Sequence, residues 1–194
     1  LTLGDHIYKK KEALELLATA TNIVRPCNFP PGSVGKTHMI LKVRETVSVA
    51  VFSALGRVFM RPVDCPFLAM QRELDTLSSE VKIRIVDFHA EATSDKQVMG
   101  RLLDGRVSAV LGTHTHVTTA DEQILPGGTG FQCDVGMTGP FESIIGRNIE
   151  AVVESTLTAL PLPYHVAKED IRLSATWVDV SIATGRCQRI GRLS

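Results

Sequence analysis

The chain has 194 residues, 44% hydrophobic and 22% charged, enough for one α/β domain with a sizeable core. Its 21 Lys plus Arg balance its 21 Asp plus Glu, so no global field draws it to nucleic acid or repels an anionic substrate. Cys27, Cys65, Cys133 and Cys187 form no CxxC pair, which excludes a zinc knuckle and a thioredoxin-like motif.

In chain order, Lys9 to Ala20 carries apolar residues at Ala13, Leu16, Leu17 and Ala20, the spacing of an amphipathic helix. Its lysines cluster at one end rather than along a face, which argues against a membrane-surface role. The Pro- and Gly-dense stretch from Arg25 to Gly35 predicts a loop. Val47 to Leu55 is short, apolar and β-branched, as a buried strand should be. Pro66 to Leu77 predicts a helix, and Lys82 to Phe88 a second strand. Ser94 is the expected N-cap of a helix reaching Leu103, with Asp95 in its first turn. Asp104-Gly105 turns the chain into a strand over Val107 to Leu111. Further strands are expected over Thr129 to Cys133 and Leu173 to Ile182, flanking a helix from Ile149 to Leu160. A closing hairpin should follow through Thr184-Gly185 to Arg186–Arg189. This order predicts a single α/β domain over residues 1–194. No apolar stretch is long enough to span a bilayer and no signal peptide is evident, so a cytoplasmic location with reduced cysteines is expected.

Three stretches place histidine directly after an apolar strand: Gly4-Asp5-His6, Asp87-Phe88-His89 and Gly112-Thr113-His114-Thr115-His116. Ligands gather outside the carboxyl ends of strands in open α/β sheets, so these loops are expected to converge. Imidazole nitrogen with carboxylate oxygen suits iron, zinc or manganese, and the lack of nearby cysteine argues against a closed structural zinc site. A neighbouring histidine that is not a ligand could protonate a leaving oxygen. Asp87 and Glu91, beside His89, either hold a ligand histidine by its second nitrogen or simply face water. Thr113 and Thr115 offer groups to a phosphate or serve β-propensity alone. Gly136 and Gly139 fit a tight loop. His38 and His165 stand alone and need no functional role.

The runs VDFHAEATSDK, DGRVSAVLGTHTHVTTADEQILPGGTG and DVGMTGP resemble the YmdB-type family of bacterial metallophosphoesterases, in the calcineurin-like superfamily. RPCNFPPGSVG and LGRVFMRPVDCPF share the resemblance, which runs from Gly4 to about Gly146 and loosens after Ala151. It implies a four-layer αββα sandwich with a dinuclear centre of two metal ions, iron or manganese. It also implies hydrolysis of cyclic nucleotides or related small phosphodiesters by a metal-bound hydroxide. By matching motif, Asp5, His89, His114 and His116 would be metal ligands and His6 the general acid. The family usually has Asn where this chain has Asp5. The family's initial Asp-containing strand motif and GEN-type motif have no counterpart here, so the first βα units are expected to be absent. A gap or an exposed sheet edge would follow, with reduced stability or pairing to a second copy. These departures also favour an alternative: a catalytically impaired metal- or nucleotide-binding protein acting through interactions. HTHVTTAD lacks the HxHxDH spacing of metallo-β-lactamase-like hydrolases. No basic, aromatic-interleaved stripe supports a polymeric nucleic-acid substrate.

Overall fold

A computed structural model describes residues 1–193. Its centre is a six-stranded mixed sheet ordered β1-β2-β3-β4-β6-β5. The strands are β1 (His38–Arg44), β2 (Val47–Leu55), β3 (Ile83–His89), β4 (Ala109–Thr113), β5 (Gln123–Ile124) and β6 (Gly130–Gln132). Strands β2, β3, β4 and β6 run parallel, while β1 and β5 close the two edges antiparallel. The helices are α1 (Glu12–Thr19), α2 (Pro66–Asp75), α3 (Thr93–Leu102) and α4 (Ile149–Thr158).

Side chains alternate across a strand, and here the alternation sorts core from chemistry. Ala50, Phe52 and Ala54 of β2, Val86 and Phe88 of β3, Val110 of β4 and Phe131 of β6 form one apolar face. Met70 and Leu74 of α2, with Met99 and Leu103 of the α3 end, pack onto it. Each such large side chain contributes roughly 1.5–3 kcal/mol by leaving water. The opposite phase carries Ser53, Asp87, His89 and Thr113. In register, Leu55, His89 and Thr113 stand side by side at the carboxyl ends of β2, β3 and β4.

Two antiparallel ladders complete the fold: β7 (Thr138–Pro140) with β8 (Ile171–Leu173), and β9 (Ala175–Val180) with β10 (Cys187–Leu193). The β9–β10 hairpin covers the second face of the sheet at β6. There Cys187 and Ile190 approach Gly130, and Thr176 Oγ1 donates to Gln132 Oε1 at 2.6 Å. Helices, central sheet and hairpin thus stack as successive layers of a mixed α/β fold. Among the described residues no helix is long and apolar enough to cross a membrane.

Several boundaries differ from the sequence expectation. The run Leu173–Ile182 divides into the end of β8 and all of β9. Helix α3 is entered from Ala92, whose extended backbone starts it ahead of the expected Ser94 cap. Asp95 is engaged elsewhere, accepting from the N–H groups of Arg57 and Val58 at 3.3 and 3.4 Å. The six strands pair without a gap, and β1 is an edge strand on which Ile40, Leu41 and Val43 are exposed beside Lys42 and Arg44.

Candidate metal and catalytic site

The segment bearing Asp5 and His6 is tied to the body by contacts distant in sequence. Leu3 N–H donates to Val24 O at 3.0 Å, Val24 N–H to Leu1 O at 2.9 Å, and Ser53 Oγ to Leu3 O at 2.8 Å. Gly4 then lies flat against His89; a Cβ there would come within 2.5 Å of the imidazole. This close approach brings Asp5 to the carboxyl end of β3, where His89 is the final residue.

One oxygen or nitrogen from each of Asp5, His89 and His114 falls within 4.8 Å of the others. His89 Nε2 lies 3.1 Å from Asp5 Oδ1 and 3.1 Å from His114 Nδ1. The far side of each ring fixes which nitrogen carries its proton. Thr113 Oγ1 donates to Asp87 Oδ1 at 2.7 Å, so it accepts at 3.0 Å from His89 Nδ1–H, which leaves a lone pair on Nε2. His114 Nε2 lies 3.0 Å from Glu91 Oε2, a carboxylate that can only accept when ionised, which leaves the lone pair on His114 Nδ1. With both rings neutral, two imidazole lone pairs and a carboxylate oxygen face one another. Such an arrangement is repulsive unless a cation stands between them, and its nitrogen–oxygen donor set fits a borderline divalent ion. Burial pushes the His89 pKa below the ordinary imidazole value, against the pull of Asp87 and Asp5, and so favours the neutral ring that a metal requires. Burial likewise raises the pKa of Asp87.

The loop after β4 is held by a buried ion pair. His114 and His116 have φ of 102° and 67°, left-handed values unusual for residues with a Cβ and costing of order 1–3 kcal/mol each. Between them, Thr115 gives both its N–H and its hydroxyl to Asp134 Oδ2, at 3.0 and 2.7 Å. The same oxygen receives Lys96 Nζ at 2.9 Å, and Asp134 Oδ1 receives Gly136 N–H at 2.9 Å. Asp134 and Lys96 are 1% and 2% exposed, so their charges are paired away from water. Gly112 permits the approach, since a Cβ there would stand 1.6 Å from Cys133 O.

Of the residues expected from sequence, Asp5, His89 and His114 converge. His6 stands beside them, two-thirds exposed, with Nδ1 3.2 Å from Asp5 Oδ2. His116 opens onto the same cleft of about 820 Å³, but its Nδ1 lies 3.2 Å from Ile145 O and it is not among the three converging groups. Glu91 holds His114 directly, and Asp87 holds His89 through Thr113. The hydroxyls of Thr113 and Thr115 are both spent inside the chain. Sequence reasoning missed Lys96 and Asp134; a lysine in an amphipathic helix reads as solvent-facing, and only tertiary packing reveals its partner.

The family model described as "YmdB-like protein" matches residues 1–193. A 2',3'-cyclic-nucleotide 2'-phosphodiesterase of Bacillus subtilis is 40% identical over 193 residues, spanning all of this chain and 73% of that protein. Among solved structures, a hypothetical protein from Thermus thermophilus superposes with a TM-score of 0.93 at 42% identity, over 99% of this chain and 74% of the other. A structure described as a novel phosphatase from Mycoplasma pneumoniae gives 0.91 at 28% identity, over 99% and 70%.

Proposed function

This chain belongs to the YmdB-like family, and on that footing we propose that it is a metal-dependent phosphodiesterase acting on cyclic nucleotides or related small phosphodiesters. The observation that carries this reading is the convergence of ligand-type atoms from Asp5, His89 and His114 at an open cleft. Iron or manganese suits that donor set. These three groups account for one ion, and the second of a dinuclear pair would draw on His116 across the same cleft. An ion held there supplies Lewis acidity toward phosphoryl oxygens.

The chain's own groups divide the remaining work. Asp5 uses Oδ1 toward the ligand cluster and Oδ2 toward His6, so one carboxylate both serves the site and orients the acid. With Nδ1 on Asp5, His6 presents Nε2 to the cleft. In the hydrolysis, the oxygen of water bonds to phosphorus as the bond to the leaving ester oxygen breaks. His6 delivers its proton to that leaving oxygen while one proton of the attacking water is released to solvent, giving a phosphomonoester and a free hydroxyl, and His6 then takes a proton back from solvent. Arg147, on the cleft wall, supplies a positive charge to the substrate's phosphate.

The test is hydrolysis of a 2',3'-cyclic nucleotide followed by chromatography, with metal content measured on the same samples. His114→Ala should lower both bound metal and turnover, the latter by about 10²-fold or more, whereas His6→Ala should lower turnover and leave metal content intact. Turnover by a chelator-stripped protein equal to that of the loaded one would overturn the reading.

A further inference from the structure

At the opposite end of the central sheet lies a second cleft, of about 380 Å³, formed where β3 and β4 begin and where the β9–β10 turn folds over them. Arg84 enters β3 as its second residue and His89 ends it, so this cleft lies roughly 16 Å from the candidate metal centre along the strand. Lys82, Arg84, Arg106 and Arg186 line it, and no lining residue is acidic. In a chain whose formal charge is zero, four cations around one small cavity are a strong local departure.

Their hydrogen bonds show how much donor capacity is left over. Arg84 gives Nε to Val81 O at 2.9 Å and Nη1 to Arg106 O at 3.2 Å, which fixes the guanidinium plane and leaves Nη2 available. Lys82 spends one of three N–H donors on Ala183 O at 2.8 Å. Arg106 reaches outward through Nη2 to Asp75, among the described residues the one carboxylate paired with this group, and keeps its other nitrogens. Arg186 has an exposed side chain on the rim. Ser79 and Thr184 also line the cleft. The backbone carbonyls therefore pre-orient two of the side chains without neutralising them, and pre-orientation lowers the ordering cost of binding.

We infer that this cleft is a binding site for a small polyphosphate-bearing anion, separate from the hydrolytic site. Its size falls at the lower end for small-molecule pockets, which suits two adjacent phosphoryl groups better than a whole dinucleotide. Planar guanidinium groups match phosphate oxygens in paired hydrogen bonds, with the lysine adding a point charge.

Inorganic pyrophosphate is the probe, titrated calorimetrically into the chelator-treated protein at low salt. The parent chain and His114→Ala should bind one equivalent with the same affinity. Lys82→Gln/Arg186→Gln should bind at least about tenfold more weakly while melting at the parent temperature, because surface charges are lost and no core is touched. Should the pair fail to fold, Arg186→Gln alone must still weaken binding. Absence of one-to-one binding by the parent overturns the inference. So does affinity lost in His114→Ala and kept in the charge variant, which would put pyrophosphate at the metal centre.

Discussion

Asp134 shows how one residue can govern a site it never touches. Its two oxygens take four donors, from Lys96, Thr115 twice and Gly136, and the two Thr115 bonds hold the loop that carries His114 and His116. Asp134→Asn would leave the Lys96 ammonium buried and unpaired, so a loss of about 3–5 kcal/mol in unfolding free energy by urea is expected. Adding Lys96→Met removes the stranded charge and should recover part of that loss, a non-additivity that two independent sites would not give. At this scale the sequence was legible where chemistry sits in a short motif. His89 and His114 announce themselves at the end of apolar strands, whereas Gly4-Asp5-His6 follows only an isolated bridge between Thr2 and Val24 instead of the expected strand. The ion pair joins positions 38 apart, each unremarkable in its own neighbourhood, and nothing local marks it.

Among the elements, the sequence concealed the short β5 and β7 and, more tellingly, the seven-residue β1. Its residues after Met39 are all exposed, so His38–Arg44 lacks the buried alternation by which a strand is recognised, and pairing with β2 alone defines it. Its attachment to the helical layer rests on His38, whose Nδ1 lies 2.8 Å from Glu73 Oε2 on α2, with Thr37 Oγ1 donating to the same oxygen at 2.9 Å. Burial alone would raise the Glu73 pKa; the hydrogen bonds from His38 and Thr37 outweigh it and bring the value below the ordinary 4.5. A carboxyl whose folded pKa is depressed adds stability at pH above its unfolded value, and that contribution is lost as pH falls through the folded one. Thermal melting across an acid series should therefore show a steeper decline below about pH 4.5 for the parent than for Glu73→Gln. By contrast β2, β3 and the Thr184-Gly185 hairpin were legible because apolar runs and turn residues specify them locally.

Over the whole molecule, the α/β layering followed from the alternation of strand and helix patterns. The parallel direction of β2, β3, β4 and β6 collects the functional side chains at one end and leaves the arginine-lined cleft at the other. The two halves of the candidate metal site differ in how they are anchored. His89 ends a central strand and His114 directly follows one, whereas Asp5 sits on a segment held by hydrogen bonds to Val24 and Ser53 and by the packing of Ile7 with Leu17, Ile23, Phe29 and Leu55. A cation shared by Asp5 and His89 would act as a cross-link closing a loop of 84 residues, restricting the unfolded chain as well as the native one. Loading with manganese should then raise the melting temperature and slow amide hydrogen exchange most in residues 1–24, with little change in β3. Uniform slowing over the chain, or none, would show that the ion does not fasten this segment. The amino-terminal segment would in that case open and close independently of the ion, and catalytic competence would depend on how often it is closed.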